Sequence, residues 1–482
     1  MSDNVVGKGD KERVQNLPDI NYDKVYARRW WIVAAVLIGT WVGTLGNSMM
    51  PVALPSIIED YEVGLNLGVW VISVYVLLVA VFMPIFGWLG DRYGYRRIYL
   101  IGLVAVAVFS WAAALSPTFG WLIAFRALQG IGNATTLPAV MGIISQVFPS
   151  QERGLALGVW STVNGAAHGL GPVISGLLVQ NYNWPATFWF NGAITFLGAG
   201  FVFLVVPADR KLDERPFDLL GAGAFTMGIL TLMFNLSQGS GMGWGSWLSL
   251  GLWVVFASLM ALFLITEKRV SYPFIDLQLF NNRRYTAVTT IAGAQYFCLM
   301  GLPTLIALYL IQLRGVATGT AGLLIAPLAV TLALFSPLGG RTVDRLGYQK
   351  TMIGGMTFVT LASGNMVFWG IDTPNWIIVL TLIVIGFGLG FTQSPSATGV
   401  TLVVRDDERG VALGIFHMLR FISGTLSVTI FGLILENARL NDFSLLQAFH
   451  WSFYLIITVA ASSVMLAISM PRPPVKVAKR AK

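Results

Sequence analysis

The sequence predicts an all-α polytopic membrane protein, and three observations carry that reading. Only 11% of the 482 residues are charged while 55% are hydrophobic, against roughly 25% charge in a soluble chain. Apolar runs of about twenty residues, long enough to cross a hydrocarbon core of about 30 Å, recur along the whole length. Lys and Arg collect between alternate runs, as the positive-inside rule requires. A larger soluble core does not explain the charge deficit, because a water-facing surface still needs charges.

The runs fall at about 30–52, 67–89, 97–116, 119–146, 154–179, 187–206, 217–237, 246–266, 285–311, 318–340, 351–371, 376–401, 410–435 and 448–470, about fourteen spans in all. The Gly-rich stretch Gln238 to Ser246 between the seventh and eighth either leaves the membrane or only bends. Residues 1–29 are polar and the first apolar run is long enough to span, so no cleavable leader is expected. With both ends cytoplasmic, the inner segments hold Arg92, Arg96, Arg97, Arg153, Arg210, Lys211, Arg283, Arg284, Arg341, Arg345 and Arg405, whereas the outer loops hold Arg314 and Arg439. This asymmetry accounts for the net charge of +8 without invoking nucleic acid. It places a multi-pass protein in a bacterial inner membrane with both termini inside. One cysteine, Cys298, rules out a disulfide framework, and no Cys/His cluster suggests a metal site or other cofactor.

The chain repeats itself. Gly87-Trp-Leu-Gly-Asp91-Arg92-Tyr-Gly94-Tyr95 is echoed by Gly340-Arg-Thr-Val-Asp344-Arg345-Leu-Gly347-Tyr348, and Glu152-Arg153-Gly154 by Glu408-Arg409-Gly410, both about 255 residues apart. Two motifs at nearly one offset indicate a duplicated six-span bundle, with a site at the interface of the halves as in secondary transporters. The expected organisation is a tail (1–29), an N-terminal bundle (30–206), two inserted spans (207–270), a C-terminal bundle (271–470) and a basic tail (471–482).

Three motifs carry mechanics. The turn motif supplies Gly87 and Gly94 for close approach and Asp91, Arg92 and Arg96 for charge-assisted bonds to helix ends; Asp344 and Arg345 repeat it. Arg126-Ala-Leu-Gln129-Gly-Ile-Gly-Asn133 puts an arginine inside a span at a cost of about 2.5 kcal/mol or more. Arg126 either faces a partner or cavity, or snorkels to the outer interface. Gly171-Pro172 lies in a run of small residues that suits close helix packing, with a bend at the proline.

These residues resemble the major facilitator superfamily and, within it, the fourteen-spanner drug:proton antiporter family. The turn motif, the Arg126 motif and Gly171-Pro172 match in place, as do Pro273-Phe-Ile-Asp-Leu-Gln-Leu-Phe280 and Tyr309-Leu-Ile-Gln312. The resemblance covers about Trp30 to Met470 and implies two six-helix bundles, two inserted spans, a central cavity, alternating access and a monomer. It also shows departures. The family has Asp at the place of Gly46, Ala167 stands for a glycine ahead of Gly171-Pro172, and Ser175 for another after it.

No Asp or Glu falls at mid-depth in any span, whereas Arg126, His168, His417 and Arg420 do. Export of cationic drugs normally needs an intramembrane carboxylate. The one-signed inventory therefore favours neutral or anionic amphipaths, with Arg420 as counter-charge. It leaves Arg126, His168 and His417 as proton-coupling candidates, since histidine titrates near physiological pH. Substrate-contact candidates are Asn47, Tyr75, Gln129, Asn133, Asn164, Gln295, Tyr296, Asn365, Gln393 and Arg420.

The function expected is proton-driven export of amphipathic small molecules, of the multidrug efflux type. The alternative is transport of lipid, fatty acid or other anionic amphipaths without proton coupling. There is no phosphate-binding loop for ATP and no constellation of catalytic residues that would make the chain an enzyme. The expected partners are membrane lipid, the substrate and protons.

Overall fold

The computed structural model describes residues 28–148, 153–207, 218–270, 273–405 and 409–470. Helices make up almost all of it, and no strand occurs among the described residues. In lipid this is the expected outcome, because every backbone polar group must be satisfied within its own segment.

In chain order the helices are α1 (Arg29–Ser48), α2 (Met50–Asp60), α3 (Leu65–Gly68), α4 (Trp70–Tyr93), α5 (Tyr95–Ala114), α6 (Phe119–Asn133), α7 (Thr136–Val147), α8 (Arg153–Tyr182), α9 (Pro185–Val205), α10 (Leu219–Met242), α11 (Trp247–Glu267), α12 (Arg283–Leu308), α13 (Thr318–Leu346), α14 (Tyr348–Asn365), α15 (Asn375–Val403), α16 (Arg409–Leu440) and α17 (Leu445–Ser469). Twelve described helical stretches are long and apolar enough to cross a membrane. The segments expected to supply the remaining two crossings are helical as well. The expected fourth span is two helices, α6 and α7, broken at Ala134 and Thr135, and the fifth is the 30-residue α8. The first expected span breaks at Met49, just before Pro51, and continues as α2. Proline tolerates the first turn of a helix, where its missing N–H is not needed.

The Gln238 to Ser246 stretch does not merely bend. α10 runs to Met242, Gly243 turns the chain at φ +83°, and α11 returns against α10. α11 is the most peripheral helix, with aromatic and aliphatic side chains exposed all round, as suits a lipid-facing rod.

The repeated turn motif has a repeated geometry. Gly94 and Gly347 each end a long helix with positive φ, +98° and +80°, a conformation that side chains disfavour, and the next helix starts at once. Asp91 accepts a hydrogen bond from the Tyr95 hydroxyl across this turn. Arg92 lies 5.4 Å from the Trp88 ring centre. Arg96 donates 2.7 Å to the Phe203 carbonyl at the end of α9. The Asp344 side chain lies outside the described residues.

The two halves meet along two seams. α8 packs on α13, and α4 packs on α16. Both seams close at the end of the molecule distal to the Gly94 and Gly347 turns. At the first seam a Cβ at Gly176 would lie 2.9 Å from the Thr318 carbonyl, and one at Gly322 would collide with the Pro172 carbonyl, so only glycines allow this approach. At the second, Ser73 and Thr429 hydroxyls lie 3.3 Å apart and a Cβ at Gly432 would touch Val69. On the turn-motif side of these contacts a cavity is lined from both halves.

Candidate substrate cavity

This cavity, of about 750 Å³ with its open mouth included, lies between the halves. It is built from polar side chains spaced one helical turn apart, which puts them on one face of each helix. α1 contributes Thr40 and Thr44; α8 contributes Trp160, Asn164 and His168; α16 contributes His417, Arg420 and Phe421. Asn133, Tyr296 and Gln393 complete the polar wall, and Val79, Met83, Leu137 and Leu332 are among its apolar members.

Arg420 is the fixed charge of this cavity. It is only 5% exposed, and its guanidinium lies 4.8 Å from the Tyr296 ring centre and 5.2 Å from that of Phe416. Nη2 donates to Gln295 Oε1 at a long 3.4 Å, and Nε is buried with no partner. Gln295 is in turn held by its own Nε2, 2.7 Å from the Leu389 carbonyl and 3.3 Å from Gln393 Oε1. Two ring faces and one amide satisfy the charge only in part. No Asp or Glu is among the described residues lining the cavity.

His168 and His417 face the same space. His168 Nδ1 is 3.0 Å from the Asn164 carbonyl, and Asn164 Oδ1 accepts from Thr44 at 3.3 Å. His417 stacks edge-on against Phe416 at 5.1 Å. Asn133 accepts from Thr136 at 3.1 Å across the α6–α7 break.

A smaller chamber of about 460 Å³, its open mouth included, lies beyond His168 and Leu299, which line both spaces, towards the closed end. Asn47 lines it: its Nδ2 is 3.8 Å from Met300 Sδ, while its Oδ1 is buried and unpartnered.

The structure thus brings Asn133, Asn164, Tyr296, Gln393, Arg420, His168 and His417 together in one cavity, with Gln295 directly behind and Asn47 in the adjoining chamber. Four of the expected candidates sit elsewhere. Arg126 is 1% exposed and neither snorkels nor lines the cavity: its Nε donates 2.8 Å to the Val71 carbonyl, its Nη1 donates 2.9 Å to Gln129, and the guanidinium lies 4.2 Å from the Tyr75 ring centre. Gln129 and Tyr75 are buried in that packing, with the Tyr75 hydroxyl on the Gly43 carbonyl. Asn365 is exposed at the end of α14, where it accepts from Trp369 and Thr381 at 3.1 Å each. Both donors are side chains, so the amide ties the end of α14 to Trp369 and to α15.

Gly46 does not face the cavity either. A Cβ there would lie 2.5 Å from the Asn191 amide nitrogen, which itself donates to the Val42 carbonyl. Asn191 of α9 occupies the space into which a side chain at position 46 would point. Residues the sequence reading passed over are Thr40, Thr44, Trp160 and Phe421; the one-turn spacings Thr40–Thr44 and His417–Phe421 are the signal that could have found them. Two buried carboxylates also escaped it, Asp218 and Glu267, 7% and 6% exposed at the ends of α10 and α11, because they lie at span ends and not at mid-depth.

The model of the Major Facilitator Superfamily matches residues 36–428 and, in a second match, 288–482. The chain belongs to this superfamily. Among curated relatives it is 28% identical over 408 residues to the riboflavin transporter RibZ of Clostridioides difficile, covering 84% of this chain and 88% of that one. It is also 28% identical over 421 residues to the tetracenomycin C resistance and export protein of Streptomyces glaucescens, covering 86% and 77%. Among solved structures, a D-xylose–proton symporter superposes with a TM-score of 0.66 at 13% identity, covering 92% of this chain and 98% of that one, a likeness of fold. As a member of this superfamily the chain is a multi-pass membrane protein and a secondary transporter, not an enzyme.

Proposed function

We propose that this transporter exports neutral or anionic amphipathic small molecules by alternating access, driven by the proton gradient. The observation that carries the cargo reading is Arg420: a buried, partly satisfied guanidinium on the wall of a cavity whose described lining includes no carboxylate. A cation entering that space would be repelled at low dielectric, whereas an anionic group would supply the missing counter-charge. The aromatic rings of Trp160, Tyr296 and Phe421 suit the apolar part of such a molecule. Relatives named for antibiotic export and for riboflavin transport support a small-molecule cargo.

The proposed architecture is fourteen crossings, the twelve qualifying helices plus α6–α7 and α8, in bundles 30–206 and 271–470 with 207–270 inserted. The positive-inside asymmetry puts the turn motifs and both termini in the cytoplasm. In that frame the cavity opens inward, as an exporter collecting cargo from the cytoplasm requires. His168 and His417 are the assigned proton carriers, being titratable groups in the cavity wall.

Uptake into proteoliposomes with an imposed pH gradient tests this, using one anionic, one neutral and one cationic lipophilic probe. Anionic and neutral probes are expected to accumulate, and Arg420→Gln to reduce anionic uptake about tenfold, the scale of one lost charge-assisted bond. Transport confined to cations and indifferent to Arg420→Gln overturns the cargo reading. A His168→Gln, His417→Gln double variant that keeps the pH dependence of transport overturns the proton assignment.

A further inference from the structure

We infer that the substrate site is bipartite: an anionic head rests beside Arg420 in the larger cavity, and an apolar chain passes between His168 and Leu299 into the smaller chamber. The head assignment rests on the reading above; the tail chamber is the addition. His168 and Leu299 belong to both spaces, so the two meet at that pair. On the far side the wall is largely aliphatic, including Ile72, Met300, Ile325, Leu328 and Ala329. A water needs two to four polar partners to be stable in a buried space, and of the three polar residues in this wall Ser48 and His168 already bond backbone carbonyls, which leaves chiefly the Asn47 amide. Apolar matter is the occupant such a chamber favours.

Its shape has a local cause. Pro51, Pro172 and Pro303, from three different helical segments, all line it. Pro172 and Pro303 lie inside helices, where each lacks the N–H of a regular turn and its ring pushes on the preceding one, and Pro51 follows the break at Met49, so these helices do not close up as straight rods would. The close helix approach at Gly176 and Gly322 lies on the same seam, towards its distal end. The chamber is a bounded space between packed helices, and its size sets a maximum tail length.

The test is binding of n-alkyl sulfates from butyl to dodecyl to the purified transporter in nanodiscs, measured calorimetrically for the parent, Ala329→Leu, Ile325→Ala and Arg420→Gln. Burying each added methylene is expected to tighten binding about fourfold until the chamber is full, after which affinity levels off. Ala329→Leu, which fills the chamber, is expected to move the levelling point to shorter chains. Ile325→Ala, which enlarges it, is expected to move that point to longer ones. Partition of the probe into lipid is common to all variants and cancels in this comparison. Both chamber variants are first checked for a parental thermal transition, and the opposite directions of the two shifts exclude general damage. Identical chain-length profiles in the parent and both chamber variants overturn the tail chamber. Profiles that shift as expected but are unaffected by Arg420→Gln keep the tail chamber and overturn the head assignment. If no alkyl sulfate binds at any length, the anionic reading falls and the bipartite site falls with it.

Discussion

Among the described residues, Arg126 and Arg420 are the arginines buried in the spans, one in each half of the chain, and they are held differently. Arg126 has two short hydrogen bonds, to Val71 and Gln129, and lies between the rings of Tyr75 and Phe188, at 4.2 and 5.8 Å, with Nη2 buried and unpartnered. Arg420 has ring contacts of similar length but one long bond of 3.4 Å and an unpartnered Nε. Arg126 is away from the cavity; Arg420 is in its wall. The same costly residue is a strut in one place and an open valence in the other. Each keeps one buried nitrogen without a partner, so the difference lies in two short bonds against one long one and in place. In membrane interiors, a charge packed among helices is structural, and a weakly bonded one on a cavity wall is available to a ligand.

The largest effect expected from breaking this comparison is on stability, at Arg126. Arg126→Ala removes two charge-assisted bonds, leaves the Gln129 side-chain oxygen without this partner, and opens a void under Tyr75. A loss of about 3 kcal/mol follows from those terms, read as a lower midpoint of thermal unfolding in detergent and a lower folded yield. Arg420→Ala is expected to shift that midpoint far less, because its bonds contribute less to begin with. Equal losses at the two sites would erase the distinction between strut and ligand.

Gly46→Asp sharpens the comparison by restoring the acid that the family resemblance leads one to expect. The new side chain would meet Asn191, one turn from Phe188 and so on the Arg126 side of the bundle, not on the wall that Arg420 faces. Overpacking of this kind costs about 1–3 kcal/mol. The expected result is a less stable protein with no gain in transport of cationic probes. A gain of cation transport would mean that the carboxylate reaches the cavity, and would reassign the site.

How much of this was legible beforehand follows from which level of structure decides each feature. Helices, their approximate limits and the paired turns at Gly94 and Gly347 were legible, since hydrophobic length and glycine placement are local properties. The kinks at Met49 and at Ala134–Thr135 were not: they depend on neighbouring helices taking over backbone partners. The polar residues of the cavity were legible as a set but not one by one. Asn133 and Gln129 sit on the same helix, four residues apart, yet Asn133 reaches the cavity and Gln129 turns to Arg126. The two share a face, so what separates them is depth along the helix and the partner each finds, which packing decides and the sequence does not signal. Gly46 shows the converse. Its lack of a side chain reads as a missing acid in the sequence, and in the structure it is the seat of Asn191.

The smallest expected effect separates charge from geometry at Arg420 itself. Arg420→Lys keeps the positive charge but replaces a planar fork with a compact ammonium that prefers water. The Tyr296 and Phe416 rings still offer a cation their faces, and Gln295 Oε1 still offers an acceptor. What is lost is the directed Nε donor that no protein group uses. If the anion is held by charge alone, Arg420→Lys binds an anionic probe about as well as the parent. If it is held by two donors of the planar guanidinium, as a two-pronged contact, affinity falls by about 1 kcal/mol, or fivefold, while neutral probes are unaffected. The second outcome is expected, because the Tyr296 and Phe416 rings and Gln295 constrain the guanidinium on its other sides while Nε stays unused. An anion-binding measurement on Arg420→Lys, set beside Arg420→Gln, reads the two contributions separately.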